Sequence, residues 1–112
     1  MVTTLLTLVA AHFLCDYSLQ SDYIAKNKSH KVNPREWTWV MMAHCAIHGL
    51  AVGLITNNVA LGVCEFVLHF FIDFLKCEGT TNLHIDQILH LLCKVLWAFL
   101  ITYCYTAPII GV

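Results

Sequence analysis

The sequence predicts an all-α protein, a four-helix transmembrane bundle with a polar His/carboxylate cluster in its cytoplasmic half. Three observations carry that expectation. Apolar residues make up 59% of the 112-residue chain and charged residues only 12%, against roughly 25% in a soluble globular protein. Mean hydropathy is +0.71, and a domain this small has too few polar groups to cover a water-facing surface. The ionisable residues that do occur recur every four positions inside apolar segments, which collects them on one stripe of each helix.

Residues 1–112 read as a single integral membrane domain with spans at about 2–19, 34–56, 58–77 and 82–106. The first, VTTLLTLVAAHFLCDYSL, is just long enough to cross. It lacks a basic leading region, no small-residue cleavage site precedes Cys15, and His12 and Asp16 interrupt the apolar run. It is therefore expected to be a retained helix and not a signal peptide. Its stripe is His12, Asp16 and Gln20. Residues 21–35 form the only long polar stretch, a loop with Lys26, Lys28, Lys31 and Arg35.

Asn33-Pro34-Arg35-Glu36 predicts a helix start, with Asn as cap, Pro first and Glu third. The second helix carries His44 and His48 one turn apart, and Trp37 and Trp39 near its start suit a membrane interface. Asn57-Asn58 predicts a tight turn. The third helix holds Glu65, His69, Asp73 and Lys76 on one stripe, and Gly79 is its expected cap. Thr80, Thr81 or Asn82 caps the fourth, which presents Asp86, His90 and Lys94 and stops before Pro108. Gly49 and Gly53 form a GxxxG that would allow close approach to a neighbouring helix.

The six cysteines make no CxxC pair and lie mostly in apolar runs. They read as small hydrophobic residues and not as disulfides or thiolate ligands. A formal net charge of −1 provides no basic field for nucleic acid.

Alternating helix directions place every stripe in the half of the bundle nearest the 21–35 loop. The basic residues of that loop make this side cytoplasmic, with both termini outside. Lys26, Lys28 and Lys31 read as a topology signal and as contacts for anionic lipid headgroups. Gln20, Asp22 and Gln87 read as caps or as support for a site.

The candidate metal ligands are His12, Asp16, His44, His48, Glu65, His69, Asp73, Asp86 and His90. Pairs of His or carboxylate at i and i+4 put two donors on one helix face, a spacing suited to shared metal coordination. Nine donors exceed the need of one tetrahedral ion. They fit two divalent ions (Zn, Mn or Fe), or one ion with supporting residues around it. Asp16, Glu65, Asp73 and Asp86 bring four negative charges that Lys76 and Lys94 only half offset, so a divalent cation is a natural counterion in an apolar setting.

Such a centre would activate water. Glu65 or Asp73 would serve as general base, and Lys76 and Lys94 would hold an anionic group. The expected function is then a membrane-embedded metal-dependent hydrolase of a lipid or other phosphoester at the cytoplasmic leaflet. A proton or divalent-cation transporter is the first alternative, although positions such as Leu54, Leu61 and Leu100 lack the polar groups a path through one chain would need. A pore between subunits of a homo-oligomer stays open. A third reading is a non-catalytic membrane module, such as a phage exclusion or lysis-regulating protein, with a structural metal site.

The pattern His12-x3-Asp16-x3-Gln20-x-Asp22, His44-x3-His48, Glu65-x3-His69-x3-Asp73-x2-Lys76 and Asp86-Gln87-x2-His90 resembles a family of small multi-span phage and bacterial membrane proteins described only as a domain of unknown function. A looser similarity, in helix layout and His/Asp usage, is to LexA-regulated membrane-bound metal-dependent hydrolases of the inner membrane. The resemblances imply a phage or bacterial origin, a bacterial inner-membrane location and a hydrolase activity.

Overall fold

A computed structural model describes residues 1–105. Its regular elements are helical throughout: α1 (Val2–Phe13), prolonged by a π-helical turn (Leu14–Ser18), α2 (Asp22–Asn27), α3 (Trp37–Thr56), α4 (Val59–Cys77) and α5 (Leu83–Tyr103). The four expected long helices are present, and the polar stretch expected as a loop contains a fifth, short one. Ser21 starts it by accepting a hydrogen bond from Ile24 N at 3.2 Å.

The helix start expected at 34 falls a turn later, at Trp37. Asn33 does cap, but its Oδ1 accepts from Glu36 N at 3.1 Å and so closes a turn ahead of the helix. Asn57 ends α3 in the left-handed conformation at φ 50°, and Asn58 opens α4 by accepting from Leu61 N at 3.1 Å. Gly79 has φ +80°. Its N–H reaches Lys76 O and that of Thr80 reaches Leu75 O, both at 3.0 Å, the paired bonds of a Schellman cap. Asn82, among the three candidates for the α5 cap, takes the role by accepting from Ile85 N at 3.0 Å. Residue 106 and the expected stop at Pro108 lie outside the described residues.

The α3–α4 hairpin is the closest packed part of the bundle. A Cβ on Gly62 would lie 2.7 Å from Gly49 O, and one on Gly49 would lie 2.8 Å from Gly62 O. The GxxxG glycines thus meet a third glycine on α4, and the two backbones touch. α1 packs against α3 and α5, and α5 against α4, closing the bundle.

Burial runs opposite to that of a soluble domain. Leu8, Val52, Leu61, Trp97 and Ala98 form an apolar plug. The rest of the interior is largely histidine, carboxylate and lysine, while Leu50, Leu54, Val63, Phe71, Leu92 and Phe99 face outward. By length and composition two helices can cross a membrane, α3 and α5; Val2–Ser18 is apolar but shorter. The expectation of four spans is therefore met on those grounds for two helices. α4, which carries Glu65, Asp73 and Lys76, is not among them.

Candidate metal centre

The buried polar side chains come from all four long helices, the π-helical turn and Lys28 at the C-cap of α2. Asp16 sits in the π-helical turn that continues α1, where Leu19 N bonds to Leu14 O at 2.9 Å. Such a turn holds more residues than an α-turn and is common at functional sites. Here His12 and Asp16 both point inward and are buried. Gln20 Nε2 donates to Asp16 O at 2.8 Å, which uses a carbonyl in the widened turn.

Asp16 Oδ1 lies 3.2 Å from His44 Nε2, 3.2 Å from His48 Nε2 and 3.7 Å from His69 Nε2. His44 Nε2 and His69 Nε2 are 3.1 Å apart. Four donors around one ion at about 2.0–2.1 Å would be separated from one another by about 3.3 Å. The four separations above, 3.1–3.7 Å, are close to that spacing, the four atoms all lie within 4.8 Å of one another, and all four residues are buried. Asp16 Oδ1 and His48 Nε2 are close yet make no hydrogen bond among the described residues. Atoms aimed at a common point, and not at each other, have this geometry. Asp16, His44, His48 and His69 can hold a metal ion.

Asp73, Asp86 and His90 continue the cluster. His90 Nε2 is 2.9 Å from Asp73 Oδ1 and 3.5 Å from Asp86 Oδ1. With His69, or with Asp16, these residues form two further groups whose donor atoms converge. His12 and Glu65 stand outside all three groups. His12 Nε2 is 3.0 Å from Gln87 Oε1, and Gln87 Nε2 donates to Asp16 Oδ2 at 2.7 Å. Glu65 accepts from Lys94 Nζ at 2.5 Å and from Trp97 Nε1 at 2.6 Å. Its Oε1 also lies 3.4 Å from His69 Nδ1, behind the nitrogen that faces the centre.

Lys28 requires a correction. It is expected on the surface among headgroup-binding lysines, whereas its ammonium is buried, paired with Asp73 Oδ2 and donating to Gln20 Oε1 at 2.7 Å. Lys26 stays exposed. Lys31 Nζ donates to Glu78 O at 2.8 Å, and His30 pairs with the Glu78 carboxylate. Both contacts hold the α2–α3 connection over the end of α4. Lys76 bridges toward Asp86 Oδ2 at 3.1 Å. Trp97 carries no sequence signal for the site, because an indole in an apolar helix looks like core until its N–H partner is known.

The nine candidate ligands and Lys94 are buried in one region, His12 and Glu65 beside the three donor groups and not in them, while Lys76 is half-buried at the edge and Asp22 is exposed at the start of α2. A cavity of about 260 Å³ opens beside it, with Asp16, Gln20, Lys76 and Gln87 in its wall and Tyr17 and Leu83 at its apolar edge. A larger apolar cavity of about 370 Å³ lies on the outer α3–α4 face, around Gly49, Gly53 and Gly62. It contains none of the residues of the centre. The six cysteines are free, and Cys15 and Cys45 are buried.

Five helices enclosing a buried His/Asp centre with metal-ligand spacing define a helical protein with a candidate metal site. The chain belongs to the DUF3307 family, described as a protein of unknown function, whose model matches residues 4–109. Comparison with curated proteins and with solved structures gave no match.

Proposed function

We propose that the protein is a membrane-embedded, metal-dependent hydrolase of phosphoesters, working at the cytoplasmic leaflet. The convergence of Asp16 Oδ1 with the Nε2 atoms of His44, His48 and His69 at metal-ligand spacing is the observation that carries the reading. A divalent ion held there would have to take water as a fifth ligand beside the four side chains, and would then make it acidic enough to act as a nucleophile near neutral pH. Asp73 would take the proton through Oδ2, 3.3 Å from His44 Nε2 and 3.6 Å from His69 Nε2, once Lys28 releases that oxygen. Lys76 stands in the cavity wall, where an anionic group would meet it. Lys94 and Glu65 take supporting roles here: they bind each other, and Glu65 Oε1 approaches His69 Nδ1 to 3.4 Å on the side away from the centre.

Packing supports a spanning position for α4 as well. α3 and α4 have 20 and 19 residues, about 30 Å each at 1.5 Å per residue, the thickness of a bilayer core. They are joined at Asn57-Asn58 and lie along one another, so α4 shares the depth of α3. Its charges are tolerable there because they face the buried centre while Val63, Val67 and Phe71 face outward. The basic 21–35 segment favours a cytoplasmic position for the open end of the site, in keeping with a bacterial inner membrane and external termini. The plug of Leu8, Val52, Leu61, Trp97 and Ala98 closes the other end and disfavours a conducting path through one chain.

The test is elemental analysis of detergent-purified protein together with hydrolysis assays on soluble phosphoesters and on phospholipids in vesicles. Bound divalent metal that disappears in His44→Ala and His69→Ala, and hydrolysis that disappears with it, are expected. Folded protein that hydrolyses these substrates without metal would overturn the reading. Metal retained with no hydrolysis would favour a structural site in a non-catalytic module.

A further inference from the structure

Asp86 is buried in a donor group that the four-ligand site does not use. We propose that Asp16, Asp86 and His90 form an entry site, through which a divalent cation passes from the neighbouring cavity to Asp16, His44, His48 and His69, and that Gln87 is its closure. This rests on the metal reading above and specifies how the ion arrives.

Asp86 is 0% exposed, and its Oδ1 makes no hydrogen bond among the described residues. That oxygen lies 3.5 Å from His90 Nε2. One donor atom from each of Asp16, Asp86 and His90 lies within 4.8 Å of the other two. A buried carboxylate oxygen without a partner is unfavourable, and a cation is the partner that this convergence suits.

Asp16 belongs to both groups, so a cation can move from one to the other without leaving that carboxylate. Zn²⁺ suits the group with three imidazoles better than the one with two carboxylates. It would therefore rest in the first and only pass through the second. One ion uses both in turn. Asp16, Asp73 and Asp86 against the ammoniums of Lys28 and Lys76 leave a balance of −1, which accommodates one divalent ion better than two in an apolar bundle.

The cavity of about 260 Å³ supplies the approach. Asp16, Asp22 and Gln87 are in its wall, whereas Asp86 and His90 are not. Gln87 Nε2 donates to Asp16 Oδ2 at 2.7 Å and to Asp86 Oδ2 at 3.1 Å. One half-buried carboxamide thus ties together two of the three entry ligands from the cavity side. Turning it away opens the path. Lys76 Nζ bonds to the same Asp86 Oδ2 at 3.1 Å and leaves Oδ1 to the ion.

A group that acts only on the path changes loading and release by one factor and leaves affinity unchanged, since the ion leaves as it enters. Chelator-stripped full-length protein in detergent provides the test. Co²⁺ uptake is followed by visible absorption in stopped flow, and release by challenge with excess chelator. Asp86→Asn/Lys76→Met removes the entry carboxylate together with its ammonium, so the charge balance is kept. Gln87 then holds the amide oxygen, and the amide nitrogen takes the place of Oδ1. Both rates are expected to fall by about tenfold or more, with the dissociation constant little changed. Unchanged uptake, or faster release, would overturn the proposal while sparing the metal reading. Wild type that takes up no Co²⁺ would overturn the metal reading itself. Should the double variant lose its helical spectrum, Gln87→Ala decides. Opening the closure should speed uptake as well as release, whereas a residue that only supports Asp16 would speed release alone. Unchanged uptake in Gln87→Ala would then overturn the proposal.

Discussion

Trp97 Nε1 donates to Glu65 Oε2 at 2.6 Å, in the buried layer between the His/Asp centre and the apolar plug. Lys94 holds the other oxygen at 2.5 Å, so Glu65 has two strong donors and a third contact to His69. Removing one member leaves a buried, unpaired charge, which typically costs about 3–5 kcal/mol, whereas replacing both with neutral groups is often far less harmful. Glu65→Ala and Lys94→Met are each expected to lower the thermal midpoint strongly. Glu65→Gln/Lys94→Met should recover most of it, because Gln still accepts from Trp97. Thermal unfolding in detergent measures this; additive losses in the double variant would show that the pair is not a unit.

The metal reading separates residues that share one cluster. Alanine at His44, His48 or His69 removes a ligand and should cost more affinity than the roughly 10–100-fold that losing a supporting residue costs. Gln87→Ala, which frees Asp16 Oδ2 and His12, should fall within that smaller range. His90→Ala should still retain one ion, because His90 is outside the four-ligand group. Titration of stripped protein with Co²⁺, followed by its visible absorption, gives the affinities. Equal losses at His90 and His44 would mean the four-ligand group is misdrawn.

Gly62 has no room for a side chain. Its Cβ would meet Gly49 O at 2.7 Å and Gly53 Cα at 3.1 Å, both backbone atoms, so α3 and α4 must separate to admit it. Overpacking of this kind typically costs about 1–3 kcal/mol. Since the helices that separate carry His44, His48 and His69, Gly62→Ala is expected to lower both thermal stability and metal affinity. Gly79→Ala meets no neighbour and should lower stability through its positive φ alone, with metal affinity unchanged.

Four-residue spacing made most of the centre legible in the sequence. His44 and His48, Glu65, His69 and Asp73, and Asp86 and His90 each share a helix face by periodicity, and their burial follows from the apolar residues between them. Helix ends were legible at Gly79, and at Asn82 as one of three candidate caps, while Asn57-Asn58 was legible as a turn without Asn58 being marked as the cap of α4. Contacts between distant segments were not. Lys28 looks like its neighbours Lys26 and Lys31, and only the fold of α2 carries it to Asp73, 45 residues away. The π-helical turn at Asp16 has no local signature, since its extra residue is stabilised by what Asp16 and Gln20 reach. Gly49 suggested close packing but did not name Gly62 as its partner. The span count was the coarsest inference, because an apolar pattern does not reveal whether the charges on α4 face lipid or one another.

Topology tests that inference directly. If α4 spans with α3, the chain crosses four times, and a reporter fused after Lys26, Asn57, Gly79 or Val112 alternates between cytoplasm and exterior. If only α3 and α5 cross, the Asn57 and Gly79 positions share one side and Val112 returns to that of Lys26. Alkaline phosphatase is active only outside the cytoplasm. Four spans therefore predict activity for the Asn57 and Val112 fusions and none for Lys26 and Gly79. The Gly79 fusion is the decisive one, because its reporter leaves from the end of α4, beside the Glu78 that His30 and Lys31 hold. Activity there would put Asp73 and Lys76 in a helix that does not return across the bilayer, and the cytoplasmic opening of the site would have to be abandoned.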